Sequence, residues 1–381
     1  MPADKKHGLL FIIIFSQFAG TSLWFAGNAI LDQVSTSNNH AAITSIVQFG
    51  FIAGTLVFSF LTIADRFRSS HVFFISAVIA SGANLLIIWL DRNEAQLSAL
   101  RFTTGFFLAG IYPVGMKIAA DFFPEKLGKA LGFLVGALVL GTAFPHLIRS
   151  QIQGLEWKAV IIVTSALEFL GGLLVFVTVP KKQSSTARKK PDVMAAINVF
   201  RSGPFRLAAF GYFGHMWELY AFWSILPIAF LYHNDLVGER ANPYLWSFFV
   251  IATGSIGCAL GGLLSQKIGS KAVAYYSLLA SGVCCLIAPF LFSGSFLFYF
   301  LFLVWGLTVT ADSPQFSALV AGYAEEKHKG TALTIVTCIG FAITIISIQL
   351  LKEAFDIYKE KGLWLLAIGP FVGLLALKKP K

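Results

Sequence analysis

The stretch Arg101-Phe-Thr-Thr-Gly105-Phe-Phe-Leu-Ala-Gly110-Ile-Tyr-Pro113 lies in an apolar run, 97–120, whose ionisable residues are Arg101 and Lys117. A helix crossing a bilayer takes about 20 such residues. Eleven further runs of this kind flank it, at roughly 8–31, 40–63, 72–90, 128–150, 159–179, 206–232, 243–265, 271–292, 295–320, 330–352 and 361–378. The expected fold is therefore an all-α membrane protein of twelve transmembrane helices. Composition agrees. Of 381 residues, 56% are hydrophobic and 13% are charged, against about 25% charged in soluble domains. This excludes a soluble enzyme, a disordered chain and a disulfide-rich secreted domain. The runs are continuous, which argues against a membrane β-barrel with alternating strands of about ten residues. The first run lacks a small-residue cleavage site and is expected to be a retained span rather than a signal peptide. Cys258, Cys284, Cys285 and Cys338 lie in apolar segments without metal-ligand spacing and read as buried thiols.

The net charge of +10 is informative by position. If both termini are cytoplasmic, 20 of the 29 Lys and Arg residues fall on the cytoplasmic loops and tails, and seven fall on the opposite side. That bias satisfies the positive-inside rule. The basic balance then marks a membrane face against anionic lipid, not a nucleic-acid surface. The expected location is the plasma (inner) membrane, multi-pass.

The longest polar interruption, 181–205, carries Lys181, Lys182, Arg188, Lys189 and Lys190 and reads as a cytoplasmic linker, with a short surface helix at 192–201. It separates an N-terminal six-helix bundle, 1–180, from a C-terminal one, 206–381. A constant offset of 201 residues relates the two halves. It places Asp65-Arg66 on Gln266-Lys267, Gly105 on Gly306, Pro113 on Pro314, Glu125-Lys126 on Glu326-Lys327 and Gln17 on Glu218. Six spans per repeat give both copies the same orientation, so the symmetry axis runs along the membrane normal.

Three segments carry a family resemblance. The loop Leu61-Thr-Ile-Ala-Asp65-Arg66-Phe-Arg68 and its counterpart Gly262-Leu-Leu264-Ser-Gln266-Lys267-Ile-Gly269-Ser-Lys271 resemble the major facilitator superfamily signature G-x-L-x-D-R-x-G-R-K. The first copy has Leu61 and Arg68 where glycines belong, and the second has Gln266 in place of Asp. Arg101 followed by Gly105 resembles that family's span-4 motif. The resemblance implies a secondary transporter of bacterial type, working by alternating access and needing no partner chain, hence a monomer. It also implies a gate built from Asp65, Arg66, Arg68, Gln266 and Lys267, with Asp121 as the partner of Arg66 or Arg68, and a substrate cavity lined by spans 1, 4, 7 and 10.

Ionisable residues within spans cost about 2.5–3.5 kcal/mol each on insertion scales and are functional candidates by default. They are Arg101, Lys117, Glu168, His215, Glu218 and Asp312, with His146 near a span end. Glu218 and His215 share a helix face three residues apart. Burial penalises a charged carboxyl, so Glu218 is the first proton-carrier candidate, with His215 and Asp312 beside it. Gln17, Thr21, Trp24 and Asn28, spaced 4, 3 and 4, form one polar stripe. Arg101, Tyr112, Trp217, Tyr220 and Gln315 lie on or near corresponding stripes. Arg101 is the expected contact for an anionic solute, organic or inorganic. Lys117 reads as a snorkelling side chain, and Glu168 fits no role.

Finer assignments remain open. Spans 2 and 8 contain no Lys or Arg, which argues against a nitrate porter. Span 5 has Gly132, Gly136 and Gly141 but lacks the Gly-Pro motif of drug–proton antiporters, which leaves drug or amphiphile efflux as the alternative. The overall look is loosely similar to cyanate-type small-solute porters. No H-E-x-x-H motif and no phosphate-binding glycine loop occurs, so an enzyme, a metal site or a nucleotide cofactor is not expected. The expected partners are a small solute, H+ and lipid.

Overall fold

The computed structural model describes residues 3–30, 33, 40–89, 93–123, 127–151, 157–180, 199–325 and 329–378. Among these, every regular element is helical. The chain divides into two compact units, Met1–Pro191 and Asp192–Lys381. The expected linker 181–205 lies outside the described residues as far as 198, as do Glu125-Lys126 and Glu326-Lys327.

The first unit contains α1 (Ala3–Thr21), α2 (His40–Phe60), α3 (Ser69–Leu86), α4 (Glu94–Leu108), α5 (Tyr112–Phe122), α6 (Leu127–Gln151) and α7 (Lys158–Thr178). The second contains α8 (Gly203–Val237), α9 (Pro243–Ile268), α10 (Ser270–Ile287), α11 (Phe296–Ala311), α12 (Ser313–Tyr323), α13 (Lys329–Tyr358) and α14 (Ile368–Lys378). Among the described residues, nine helical stretches are long and apolar enough to cross a bilayer.

Three of the expected spans are interrupted, and a fourth, 361–378, begins as a 3-10 helix through Ala367 before α14 starts. The run 97–120 breaks between α4 and α5, and the run 295–320 breaks at Asp312 between α11 and α12. Pro113 and Pro314 lie in the first turn of the second piece each time. Proline has no N–H to continue the ladder, and its fixed φ suits a helix start. The run 8–31 is helical only to Thr21 and continues as turns through Ile30.

The repeat is visible in packing. A Cβ on Gly54 would lie 2.1 Å from the Phe106 carbonyl oxygen, and one on Gly105 2.1 Å from that of Val47, so α2 and α4 meet backbone to backbone. In the second unit, Gly257 stands the same way 2.0 Å from the Leu307 oxygen and Gly306 2.0 Å from that of Val250. Small residues permit such close approach, which supplies the packing that drives helix association in lipid. The offset is 201 between α4 and α11 but 203 between α2 and α9, since Gly54 answers to Gly257.

The turn after α8 is held by side chains. Asn242 accepts from the N–H groups of Tyr244 and Leu245 at 3.0 and 3.1 Å and caps α9. Hydrogen bonds from Ser295 and Tyr299, with His233 nearby, hold the Glu239 carboxyl below the usual carboxylate range.

Gly306→Ala should lower thermal stability by about 1–3 kcal/mol through overpacking, whereas Gly262→Ala, with open space around its Cβ, should leave the melting midpoint unchanged or slightly higher. Melting curves of the two purified variants decide this. For Glu239, a depressed folded-state value means stability that is present above the ordinary carboxylate range and lost as pH falls through the lowered one. Glu239→Gln should flatten that acid-side decline in a pH series of the same melts.

Candidate functional site

The second unit buries an acid–imidazole cluster. Glu218 of α8 is fully buried. Its Oε1 accepts from the Trp305 Nε1–H at 2.7 Å and from the Cys285 thiol at 3.2 Å, and its Oε2 accepts from the Ser281 hydroxyl at 2.9 Å. A buried carboxyl needs such donors, because leaving them out would add the full desolvation cost. One turn earlier, His215 Nδ1 stands 2.9 Å from Asp312 Oδ1. The ring directs no well-aligned hydrogen bond at that oxygen, so the contact is an ion pair when the imidazole is charged. Asp312 occupies the N-cap of α12, yet its side chain makes no cap. The residue two positions on is Pro314, which has no N–H to offer, and the carboxyl turns to His215 instead. Asp312 and Glu218 are close enough to repel one another when both are charged. The structure thus brings together the three proton candidates named from sequence. It adds Trp305, Ser281 and Cys285. Ser281 and Cys285 are four apart on α10, a spacing legible in sequence, but nothing there pointed them at Glu218.

In the first unit the polar stripe on α1 and the turns after it pairs with α2. Trp24 Nε1 donates to Gln48 Oε1 at 2.8 Å, and Asn28 Nδ2 donates to Thr44 Oγ1 at 2.8 Å. Thr21 Oγ1 lies 2.9 Å from the carbonyl of Gln17 and 3.2 Å from that of Leu138. Gln17 seats its amide against Gly115, where a Cβ would lie 2.3 Å from Gln17 Oε1. Neither amide atom has a hydrogen-bond partner among the described residues.

Arg101 is 1% exposed. It donates to the Leu23 carbonyl at 3.1 Å and to the Trp24 carbonyl at 2.6 Å, standing in for backbone N–H groups where α1 has broken. Gly27 clears the space, since a Cβ there would lie 2.8 Å from the guanidinium Nε. Its sequence reading as an anion contact missed this use, because nothing local shows that α1 ends at Thr21.

The other candidates are dispersed. Trp217 Nε1 donates to the Leu365 carbonyl at 2.9 Å. Tyr220 packs against Trp223 and Phe341. His146 and Gln315 are buried, and Tyr112 is half-buried at the start of α5. Among the gate residues, Lys117 bridges to the Ala64 carbonyl and the Asp65 carboxylate. Lys117, read as a snorkelling side chain, is thus partly exposed and paired with an exposed carboxylate. Arg66 donates to Thr62 Oγ1 at 3.1 Å and Arg68 to the Val179 carbonyl at 2.6 Å. The contacts of these arginines thus run to other groups than Asp121, which is half-buried. Gln266 and Lys267 are exposed in the last turn of α9.

Apolar helices in such number, with acids buried among them, define a multi-pass membrane protein. The family model described as Major Facilitator Superfamily matches residues 9–348, and the chain belongs to that superfamily. It is 26% identical over 197 residues to the probable galactarate/D-glucarate transporter GudP of Bacillus subtilis (strain 168), covering 48% of this chain and 43% of that protein. It is 26% identical over 241 residues to the multidrug resistance protein MdtG of Proteus mirabilis (strain HI4320), covering 60% of this chain and 59% of that protein. The chain thus spans less than two thirds of the length of either relative.

Arg101→Ala would remove the charged donor from two carbonyls, at about 1–3 kcal/mol for each hydrogen bond lost. It should lower the melting midpoint and speed hydrogen exchange across 22–30, with Arg101→Lys intermediate. Unchanged exchange in the alanine variant would show that the guanidinium does not hold this segment.

Proposed function

We propose that the protein is a proton-coupled secondary transporter that moves a small solute across the plasma (inner) membrane by alternating access, as a monomer with both termini in the cytoplasm. Twelve spans result when the stretch Lys329–Lys378 is counted as two and Ala3–Thr21 and Gly203–Val237 are added to the remaining stretches. Six fall in 1–180 and six in 203–381, the expected linker 181–205 ending within the first turn of α8.

The observation that carries the coupling is the buried set Glu218, His215 and Asp312, each at most 1% exposed. Asp312 stands against the His215 imidazole, and Glu218 lies one turn further along α8, held by Trp305, Cys285 and Ser281. Such a set changes charge by binding or releasing protons, and each change alters what its burial costs. For the solute, two classes are in play. Organic anions of the sugar-acid kind draw support from the first relative's name. Amphiphilic drugs, exported in exchange for protons, draw support from the second relative and from the neutral amides of Gln17 and Gln48. Arg101 donates to the carbonyls of Leu23 and Trp24, which supports neither class over the other, so both belong in the first assay.

Purified protein in proteoliposomes under an imposed proton gradient tests the reading, with labelled D-glucarate and a labelled amphiphilic cation as probes. Glu218→Gln should abolish gradient-driven accumulation of whichever solute is carried while preserving solute exchange. Accumulation at the normal rate in that variant would remove Glu218 from the coupling.

A further inference from the structure

We propose that Glu168 of α7 is a second proton-binding carboxyl, housed in the first unit, whose deprotonation draws Arg101 away from the broken end of α1. This rests on the proton-coupled reading above and adds a separate site to it.

Glu168 is fully buried, and neither carboxyl oxygen has a hydrogen-bond partner among the described residues. A charged carboxylate in that setting bears the desolvation cost with no donor to offset it. The side chain is seated against Gly20, where a Cβ would lie 2.9 Å from Glu168 Oε2 and 2.5 Å from the Ile111 side chain. The carboxyl therefore fits because residue 20 is glycine. Gly20 lies in the last turn of α1, where backbone carbonyls present partial negative charge. That end disfavours a carboxylate and is compatible with a protonated, neutral carboxyl.

The same face of α7 is wired to Arg101. Asn84 Nδ2 donates to Ser165 Oγ at 2.9 Å and to Thr164 Oγ1 at 3.3 Å, while Asn84 Oδ1 accepts from Arg101 at 3.5 Å. Other titratable groups around α7 are few. The described side chains of α1 include no ionisable one. On α3, His71 lies against Phe176, two turns beyond Glu168. On α6 stand His146 and Arg149, and the turn Ile87–Trp89 carries none. Arg101 is thus the cation that Asn84 ties to Thr164 and Ser165, one turn before Glu168 on the same face of α7, and in this proposal a charge on Glu168 acts on it along that chain. It responds by loosening its hold on Leu23 and Trp24, which frees the segment that carries Trp24 and Asn28. Proton release in the interior of the first unit then moves the polar stripe. The second unit has no copy of this device, since the residue 201 positions on from Glu168 is Gly369.

Two measurements on the full-length purified protein test this, with the proton as the probe. In infrared spectra at neutral pH, the protonated-carboxyl carbonyl band should lose a component in Glu168→Gln that Glu218→Gln retains. In hydrogen exchange across 22–30, corrected for intrinsic rate, raising the pH should open the segment in wild type and in Glu218→Gln but not in Glu168→Gln. An unchanged carbonyl band in Glu168→Gln, or the same opening in that variant, overturns the proposal. If the glutamine variant does not fold, Glu168→Met, neutral and of similar volume, should give the same two results. Loss of the band component in Glu168→Gln together with normal accumulation by Glu218→Gln would keep this site and reject the coupling role of Glu218.

Discussion

A guanidinium takes the place of backbone N–H groups at the end of α1, and much of the first unit is arranged around that substitution. In hydrocarbon there is no water to satisfy a broken helix end, so the ladder can stop only where protein supplies the missing partners. Arg101 supplies them to Leu23 and Trp24. Gly27 leaves room for it, and Asn84 accepts from its remaining face. The segment so released from helical geometry turns Trp24 and Asn28 toward α2, where Gln48 and Thr44 receive them.

The second unit solves the corresponding problem without a cation. At the position 201 residues on from Arg101 stands Phe302, buried among Phe222, Phe230, Phe292 and Phe298. The helix α8 runs unbroken from Gly203 to Val237 past this point. An unbroken helix satisfies its own backbone, so the neighbouring position is free to be aromatic. The buried carboxyls are distributed with the same asymmetry. Where the first unit has the neutral Gln17, the second has Glu218. Where the first has Glu168, the second has Gly369, packed against Gly214 with a Cβ position 2.3 Å from its carbonyl oxygen. Two copies of one scaffold thus carry different charge chemistry on a shared pattern of helix contacts.

Much of the scaffold was legible in sequence, because lipid imposes length and apolarity on every span. The proline pair Pro113 and Pro314 marked the two helix starts at matching positions for a local reason, the missing N–H. Less legible was what each polar residue does. Arg101 read as a ligand contact because its apolar surroundings were visible and the broken end of α1 was not. Lys117 read as snorkelling because Asp65, fifty-two positions earlier, becomes its neighbour only through the packing of α5 beside the turn Ile63–Arg66. Cys285 read as a buried thiol and Trp305 carried no assignment, yet both donate to Glu218.

The sequence by itself determined the all-helical membrane class, the repeat and the identity of the ionisable residues placed in apolar surroundings, since each follows from a periodicity or a run length along one strand of chain. Only the tertiary structure decided which of those residues meet. His215 finds Asp312 across ninety-seven positions, and Arg101 finds the carbonyls of α1 across seventy-eight. Glu168 finds a glycine niche and no donor. Partnership in a low-dielectric interior is a matter of a few ångströms between different helices, and no pattern along a single helix specifies it.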